Sequence, residues 1–181
     1  MSAQRREFRW HGGFPFVACT EFDMSQPETQ LYKRATFVTQ LPVSHLYSPS
    51  HCWLSRVDGT EKTWRVGFTK FALRMLGELV DVQFESPVGS VVRPGDVIGS
   101  IEGFKALSDL YCVGTGQFLG GNPALKDDLE SLQRSPYTGG WLYSFEGEPD
   151  PRCLTIDAYR DLLDVTIDRI LEKQKADGTA E

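Results

Sequence analysis

One stretch of the sequence limits the possible folds of this chain more than any other. Two apolar, strand-like runs, which begin at Val97 and end at Tyr111, flank a short centre made of Phe104, Lys105 and Ala106. Tight hairpin turns usually carry pairs such as Asn-Gly, because those residues accept the backbone angles that the turn needs. A lysine with apolar neighbours is therefore an unusual choice, although most lysines at such tips are solvated charges.

Length and composition set broad limits on the rest. The chain has 181 residues, a net charge of −6 and an apolar fraction of 40%. This length predicts one domain with extensions, or at most two small domains. The negative charge argues against a nucleic-acid partner. No apolar run approaches the length that crosses a bilayer, so we expect no membrane insertion.

The first residues superficially resemble an export signal. Arg5 and Arg6 look like a twin-arginine start, and Phe16-Val-Ala-Cys19 is a poor imitation of a lipobox. The stretch between them is too short, and too rich in Gly and Pro, to be the apolar region of a signal peptide. We therefore expect a cytoplasmic chain that is not exported.

The cysteines and histidines form no metal-binding pattern. Their spacings fit neither a disulfide framework nor a zinc site, so free thiols in a reducing cytoplasm are the simplest interpretation. A hydrolase hypothesis based on His11-Gly-Gly also fails, because the chain has no G-x-S-x-G nucleophile elbow. The residues concerned are Cys19, Cys52, Cys112, Cys153, His11, His45 and His51.

Short runs of β-branched and aromatic residues, separated by turn signals, precede the central stretch. Residues 51–57 and 62–68 predict two strands joined at Asp58-Gly59, which is a strong hairpin signal. Thr69 is a good N-cap for a helix over residues 70–76, and Gly77 can end that helix in the left-handed conformation. Residues 78–84 predict another strand, and Pro94-Gly-Asp96 predicts a tight turn.

The two ends of the chain are expected to differ. Residues 1–44 look irregular, apart from a short strand within residues 31–41. Asn122 opens a predicted helix that Pro136 ends, and residues 140–145 predict the last strand. The helix has an apolar face of Leu125, Leu129 and Leu132.

The tail changes to helical periodicity after Thr155, which predicts an amphipathic helix that covers the sheet system rather than docking a partner. We expect it to fray from residue 173. Its stripe is Ile156, Tyr159, Leu163, Ile167 and Ile170. Many short strands and three short helices together predict a mainly β sandwich or barrel.

Several blocks, in the right order, resemble the H protein of the glycine cleavage system, a lipoyl carrier. The block around the lysine, Glu102-Gly-Phe-Lys-Ala-Leu-Ser-Asp-Leu-Tyr111, resembles the family's Glu-Ser-Val-Lys-Ala-Ala-Ser-Asp-Leu-Tyr. Such an ordered set is far more specific than a lone lysine. The other blocks are His51-Cys-Trp53, Val66-Gly-Phe-Thr69, Leu76-Gly-Glu-Leu-Val80, Asn122-Pro-Ala-Leu125, Ser135-Pro-Tyr-Thr-Gly-Gly-Trp-Leu142 and Asp157-Ala-Tyr-Arg-Asp-Leu162.

This resemblance implies a fold and a domain organisation. The expected fold is mainly β, a lipoyl-domain-like barrel-sandwich hybrid, that is, a flattened β-barrel of two sheets with short helices and an amphipathic C-terminal helix. Residues 1–45 would form an N-terminal extension, residues 46–147 the lipoyl carrier domain, and residues 148–181 the C-terminal helix and tail.

The resemblance also implies a cofactor. Lipoate would be amide-linked to Lys105 by a lipoate ligase or by lipoyl assembly enzymes, and the protein would be a carrier and not an enzyme. The lysine must then be exposed at a tip, and amide formation removes its charge. The dithiolane of the arm opens by thiol exchange, so the cofactor supplies the chemistry while the protein presents and docks it.

The same resemblance suggests roles for other residues of the chain. Glu102 and Asp109 would help a ligase and partners recognise the hairpin, although two solvated carboxylates are an equally good interpretation. His51 could line a groove where the arm rests, but a structural histidine is the more common case. Cys112 could be a redox partner of the arm, whereas a buried small hydrophobic residue is the simpler interpretation.

Some residues depart from the family pattern. Cys52 stands in place of the family's Glu, Gly103-Phe104 in place of Ser-Val, and Cys112-Val-Gly114 in place of Ser-Pro-Val. These departures favour a paralogue, and they resemble the lipoate-binding proteins that work in sulfur oxidation with a heterodisulfide-reductase-like complex. The alternative is the H protein itself, which carries an aminomethyl group among the P, T and L proteins of glycine cleavage: a pyridoxal-phosphate decarboxylase, a folate-dependent transferase and a flavin dehydrogenase.

Overall fold

The computed structural model describes residues 27–104 and 106–178 of the chain. Its helical segments are α1 (Lys70–Leu76), a 3-10 turn (Pro123–Lys126), α2 (Ser131–Arg134) and α3 (Ile156–Gly178). The strands are β1 (Thr29–Arg34), β2 (Phe37–Pro42), β3 (Leu46–Tyr47), β4 (Cys52–Arg56), β5 (Thr63–Phe68), β6 (Leu79–Phe84), β7 (Val91–Val92), β8 (Val97–Gly103), β9 (Ala106–Tyr111), β10 (Gly114–Gly121) and β11 (Tyr143–Pro149).

Two sheets form the mainly β body that the sequence predicts. One has six strands in the order β3-β4-β5-β11-β10-β7, and the other has three in the order β6-β8-β9. All their ladders are antiparallel, so alternate side chains of a strand turn toward the core. Strand β5 shows this alternation, because Trp64, Val66 and Phe68 are buried and join the main core cluster.

Helix α1 has the predicted boundaries. The Thr69 side chain caps its start by accepting a hydrogen bond from the backbone N–H of Ala72, and Gly77 follows its last residue with a φ of 79°. The ψ of Gly77 is −148°, so this glycine has the expected positive φ but lies outside the left-handed helical region. Leu73 packs in the main core while Phe71 packs in a second cluster. The helix therefore connects the two cores.

The second core lies between α3 and a hairpin formed by β1 and β2. Tyr32 and Phe37 of the hairpin and Tyr159 and Leu163 of α3 are all buried there. Helix α3 also packs on the edge of the six-stranded sheet, where the ring of Tyr159 stacks on that of Tyr47 in β3. The prediction that α3 covers the sheet system is therefore confirmed at this edge. The prediction of a short strand within residues 31–41 is confirmed in part, but residues 29–42 form two paired strands and not one strand in an irregular segment. Residues 1–26 of that segment lie outside the described residues.

Three element boundaries also differ from the prediction. The helix predicted after Asn122 is broken into the 3-10 turn and α2, because Asp128 turns the chain by accepting hydrogen bonds from Ser131 at its carbonyl and at its side chain. The last strand begins at Tyr143 and not at residue 140. Helix α3 continues to Gly178 instead of fraying at residue 173.

The helices of residues 27–104 and 106–178 include none that is long and apolar enough to cross a membrane. In the same ranges, no group of three or more His, Cys, Asp or Glu side chains is placed to hold a metal ion.

Candidate functional site

The central stretch folds as the hairpin of β8 and β9. Its register pairs Gly103 with Ala106, so the connection consists of only two residues, Phe104 and Lys105. Lys105 itself lies outside the described residues. Phe104 is 81% exposed, so its side chain lies in solvent. This exposure makes Phe104 accessible to a partner.

The base of the tip is held against the end of α1. The backbone N–H of Phe104 donates to the carbonyl of Glu78 over 2.7 Å. A Cβ added to Gly103 would lie 2.6 Å from the carbonyl oxygen of Leu76, closer than real Cβ atoms approach. Glycine is therefore required here by the close passage of two backbones.

The two candidate recognition residues share the outward face of the three-stranded sheet. Glu102 is exposed and pairs across the ladders with Leu107 and Asp81, and directly opposed residues lie on one face. Asp109 is two residues beyond Leu107, so it lies on that face as well. It accepts a hydrogen bond from the Tyr111 hydroxyl over 3.0 Å, and this bond raises the pKa of Tyr111.

Sequence reasoning missed part of this face. Asp81 adds a third carboxylate opposite Glu102, and its oxygens accept from the backbone N–H of Val82 and the amide of Gln83. Leu107 is 72% exposed among these acids. The alternation of apolar and polar residues indicated strands, but only the pairing of three strands brings Asp81 to the lysine hairpin.

A groove of about 900 Å³ opens beside the base of the tip. Its floor includes Leu73 of α1 and Leu79 at the start of β6, and Leu79 pairs with Gly103. Gly77 and Glu78 line the end that adjoins the tip, and charged and apolar residues of β2, α1 and α2 line the rest. No sequence motif signalled this groove, because its walls come from segments that are far apart in the chain.

His51 has a structural environment. Its Nδ1 lies 3.0 Å from the Tyr159 hydroxyl, and its ring lies 4.6 Å from that of Phe71. Burial lowers its pKa to about 4, so the ring is neutral at pH 7. It is not among the residues that line the groove. These contacts join the start of β4 to α1 and α3, which favours the structural interpretation over a place beside the arm.

The described cysteines are free and inward-facing. Cys112 is buried, its thiol donates to the carbonyl of Gly114 over 3.2 Å, and burial raises its pKa. Burial also raises the pKa of Cys52 to about 11 and that of Cys153 to about 12. Reactive cysteines need exposure and a stabilised thiolate, so these three thiols favour the simpler interpretation of packing residues.

Known proteins with sequences similar to this chain lead to one family. The model of the glycine cleavage H-protein family matches residues 45–156. A glycine cleavage system H protein of Kocuria rhizophila is 36% identical over 130 residues, which cover 70% of this chain and 100% of that protein. One from Listeria monocytogenes is 38% identical over 127 residues, which cover 68% of this chain and 98% of that protein.

A solved structure leads to the same family. The glycine cleavage system H protein of Mycobacterium marinum superposes with a TM-score of 0.58 at 34% identity, over 66% of this chain and 95% of that one. These relatives do not support the association with sulfur oxidation, which the sequence favoured, and they favour the alternative, glycine cleavage. The chain belongs to the glycine cleavage H-protein family.

Proposed function

We propose that this chain is a lipoyl carrier of the glycine cleavage system, with lipoate linked to Lys105 and with the P, T and L proteins as its partners. The observation that carries the proposal is the two-residue connection between Gly103 and Ala106, in which Lys105 follows an exposed Phe104. A ligase must reach the lysine amine, and a tip held only at its base allows that approach. The free thiols of the described residues support a reducing, cytoplasmic location.

The residues around the tip fit a lipoyl group. The partly exposed side chains of Leu79 and Leu129 in the groove suit an aliphatic chain, and the groove adjoins the tip at Glu78. When bound, lipoate supplies a disulfide that opens to a dithiol and so accepts and releases a transferred group. The chain itself supplies exposure, orientation and a resting surface, and it performs no catalytic step of its own.

Glu102 and Asp109 have a proposed role in recognition. Together with Asp81 they make the outward face of the hairpin acidic around exposed Leu107 and Phe104. A partner with basic side chains around an apolar pocket complements this face, and such charge complementarity mainly increases association rates. The rim is exposed, so each carboxylate adds little to the stability of the fold.

Mass measurement tests the attachment. The chain is co-expressed with a lipoate ligase, and the intact mass is compared among the wild type, Lys105→Arg and Lys62→Arg. Lys62 is the matched control, because it is an exposed lysine beside the turn between β4 and β5. The wild type and Lys62→Arg should gain one lipoyl mass, and Lys105→Arg should gain none. The same increment in Lys105→Arg, or none in the wild type, contradicts the attachment.

Kinetics of the same reaction test recognition. Glu102→Gln and Asp109→Asn should slow lipoylation several-fold at low salt and less at high salt, because the salt screens the attraction. Asp58→Asn, at the exposed turn of another hairpin, is the control and should leave the rate unchanged. Equal rates for all these variants would remove the recognition role and leave two solvated carboxylates.

A partner assay separates the two carrier hypotheses. The lipoylated chain is offered to glycine decarboxylase, and the exchange of CO₂ with the glycine carboxyl group is measured. Robust exchange supports glycine cleavage and excludes a dedicated sulfur carrier. The sulfur hypothesis is kept as a second candidate because of Gly103-Phe104 and Cys52, which depart from the family pattern. A lipoylated chain that supports no exchange would favour it.

A further inference from the structure

One wall of the groove beside the tip comes from outside the family match. Thr36, Phe37 and Val38, at the turn and start of β2, line the groove together with residues of α1 and α2. The family model matches residues 45–156, so both strands of the N-terminal hairpin precede the matched region. The groove is therefore built partly from the family core and partly from an addition that this chain carries.

The added wall is anchored at its turn. Arg34 pairs with Asp164 and Asp168 of α3, and the Arg74 guanidinium of α1 donates to the carbonyl and hydroxyl of Thr36. Phe37 lies edge-on to Phe71, with ring centroids 5.6 Å apart. These contacts, which come from two helices, hold residues 36–38 in place as a fixed side of the groove.

The groove begins next to the base of the tip. The C-terminal end of α1 adjoins the hairpin base, because Leu76 and Glu78 contact Gly103 and Phe104. The seven residues of α1 extend about 10 Å along the helix axis from that end to Lys70, which also lines the groove. The groove thus extends away from the tip along α1, with the N-terminal hairpin beside it.

Both apolar and charged side chains line the groove. Leu73, Leu79 and Leu129 offer apolar surface, and Val38 adds a branched apolar side chain that is 46% exposed. Glu78 and Glu130 line the groove together with Lys70, Arg74 and Arg134, so charged groups surround the apolar floor. An aliphatic arm with a compact sulfur-containing end gains apolar contact there without burying a charge.

We propose that the N-terminal hairpin positions the lipoyl arm, and that Val38 is a positioning residue that contacts the arm at rest. This inference depends on the proposed attachment at Lys105. It goes further by assigning a role to a segment outside the family match. The hairpin narrows the groove on one side, so it shelters the arm from solvent and restricts the size of the group that the arm carries into the groove.

The test compares two variants in which an apolar residue of the N-terminal hairpin is replaced by aspartate. Val38→Asp puts a charge on the groove wall, whereas Leu31→Asp puts one at a residue of β1 that is 59% exposed and does not line the groove. Both lipoylated variants and the wild type are reduced, and alkylation of the dithiol by iodoacetamide is followed by peptide mass at residue 105. Digestion with chymotrypsin, which cleaves after Tyr111, separates residue 105 from Cys112, so alkylation of that peptide reports the arm and not a cysteine.

We expect Val38→Asp to be alkylated about fivefold faster than the wild type and Leu31→Asp at the wild-type rate, since the lost apolar contact no longer favours the sheltered arm. As a second measurement, lipoylation should slow hydrogen exchange of the amides of residues 36–38 in the wild type. The thermal unfolding of each variant shows whether the hairpin remains folded.

Each other outcome has a defined meaning. Lipoylated Val38→Asp with a wild-type alkylation rate, or a wild-type arm that reacts as fast as a free lipoyl peptide, overturns the positioning role while the attachment stands. Equal acceleration in both variants also overturns it, because the effect would then be one of charge and not of the groove wall. A wild-type chain that takes up no lipoate removes both proposals.

Discussion

The molecule contains two hairpins of the same design with opposite surroundings. In each, two antiparallel strands are joined by a two-residue connection: residues 35–36 between β1 and β2, and residues 104–105 between β8 and β9. The first turn is anchored by ion pairs to α3 and by buried Phe37, whereas the second presents Phe104 to solvent. Hairpin geometry alone therefore does not make a carrier site; what each turn contacts decides whether it supports the fold or presents a residue.

Alanine substitution of the phenylalanine at each turn should give the largest difference in stability between the two hairpins. Phe37→Ala removes a ring that packs against Tyr32 and Phe71, so we expect a loss of about 3–5 kcal/mol in the free energy of unfolding. Phe104→Ala removes an exposed ring and should change it by less than about 0.5 kcal/mol. Urea denaturation measures both. Equal losses would show that the tip of β8 and β9 is also packed.

Substitution of Gly103, at the base of the exposed tip, should give the next largest loss of stability. Gly103→Ser introduces a Cβ that crowds the carbonyl of Leu76, and overpacking of this kind costs about 1–3 kcal/mol. Gly139→Ser is the control, because a Cβ there meets nothing within 4 Å. Thermal unfolding of the two variants gives the comparison. If Gly103→Ser is as stable as the control, the close approach of α1 does not constrain the tip.

The anchored turn stores a small backbone strain at Ala35. Its φ of 50° lies in the left-handed region, which disfavours residues with a Cβ. Ala35→Gly should therefore stabilise the protein by about 0.5–1 kcal/mol, after the greater chain entropy of glycine is subtracted. Denaturant titration at constant pH measures this. A destabilised variant would mean that chain entropy outweighs strain at this turn.

The pH dependence of the anchored turn should be the weakest effect. The hydrogen bond from Arg34 lowers the pKa of Asp168, so the pair stabilises the protein fully above the usual Asp range. This stabilisation is lost as the pH falls through the depressed value. The difference in melting temperature between the wild type and Arg34→Met should therefore shrink with acidification below about pH 4. Arg160→Met, which breaks a more open pair with Asp157, is the control.

Local signals explain the correct predictions. The boundaries of α1 follow from the Thr69 cap and Gly77, which act within a few residues of the helix ends. The hairpin of β8 and β9 is visible as two apolar runs around a short centre, and the stripe of α3 is visible from Ile156 onward. The family resemblance then placed Lys105, a position that composition alone would have left as a surface charge.

A strand was predicted within residues 31–41, but its pairing into the N-terminal hairpin was missed because the stability of that hairpin is not local. Its turn has no glycine or asparagine, and Tyr32 and Arg34 bond to Asp164 and Asp168, which are more than 130 residues away. The helix predicted after Asn122 failed for the opposite reason. Hydrogen bonds to Asp128 within three residues outweigh the apolar spacing of its leucines.

The sequence by itself determined the family, the strand-rich fold and the lysine on which the proposed function depends. Each of these can be recognised from short contiguous stretches of residues. Only the tertiary structure decided what surrounds that lysine. The acidic face needs β6 to pair with β8, and the groove needs β2, α1 and α2 to meet beside Gly103. Such surfaces arise from packing between distant segments, and no local pattern of residues specifies them.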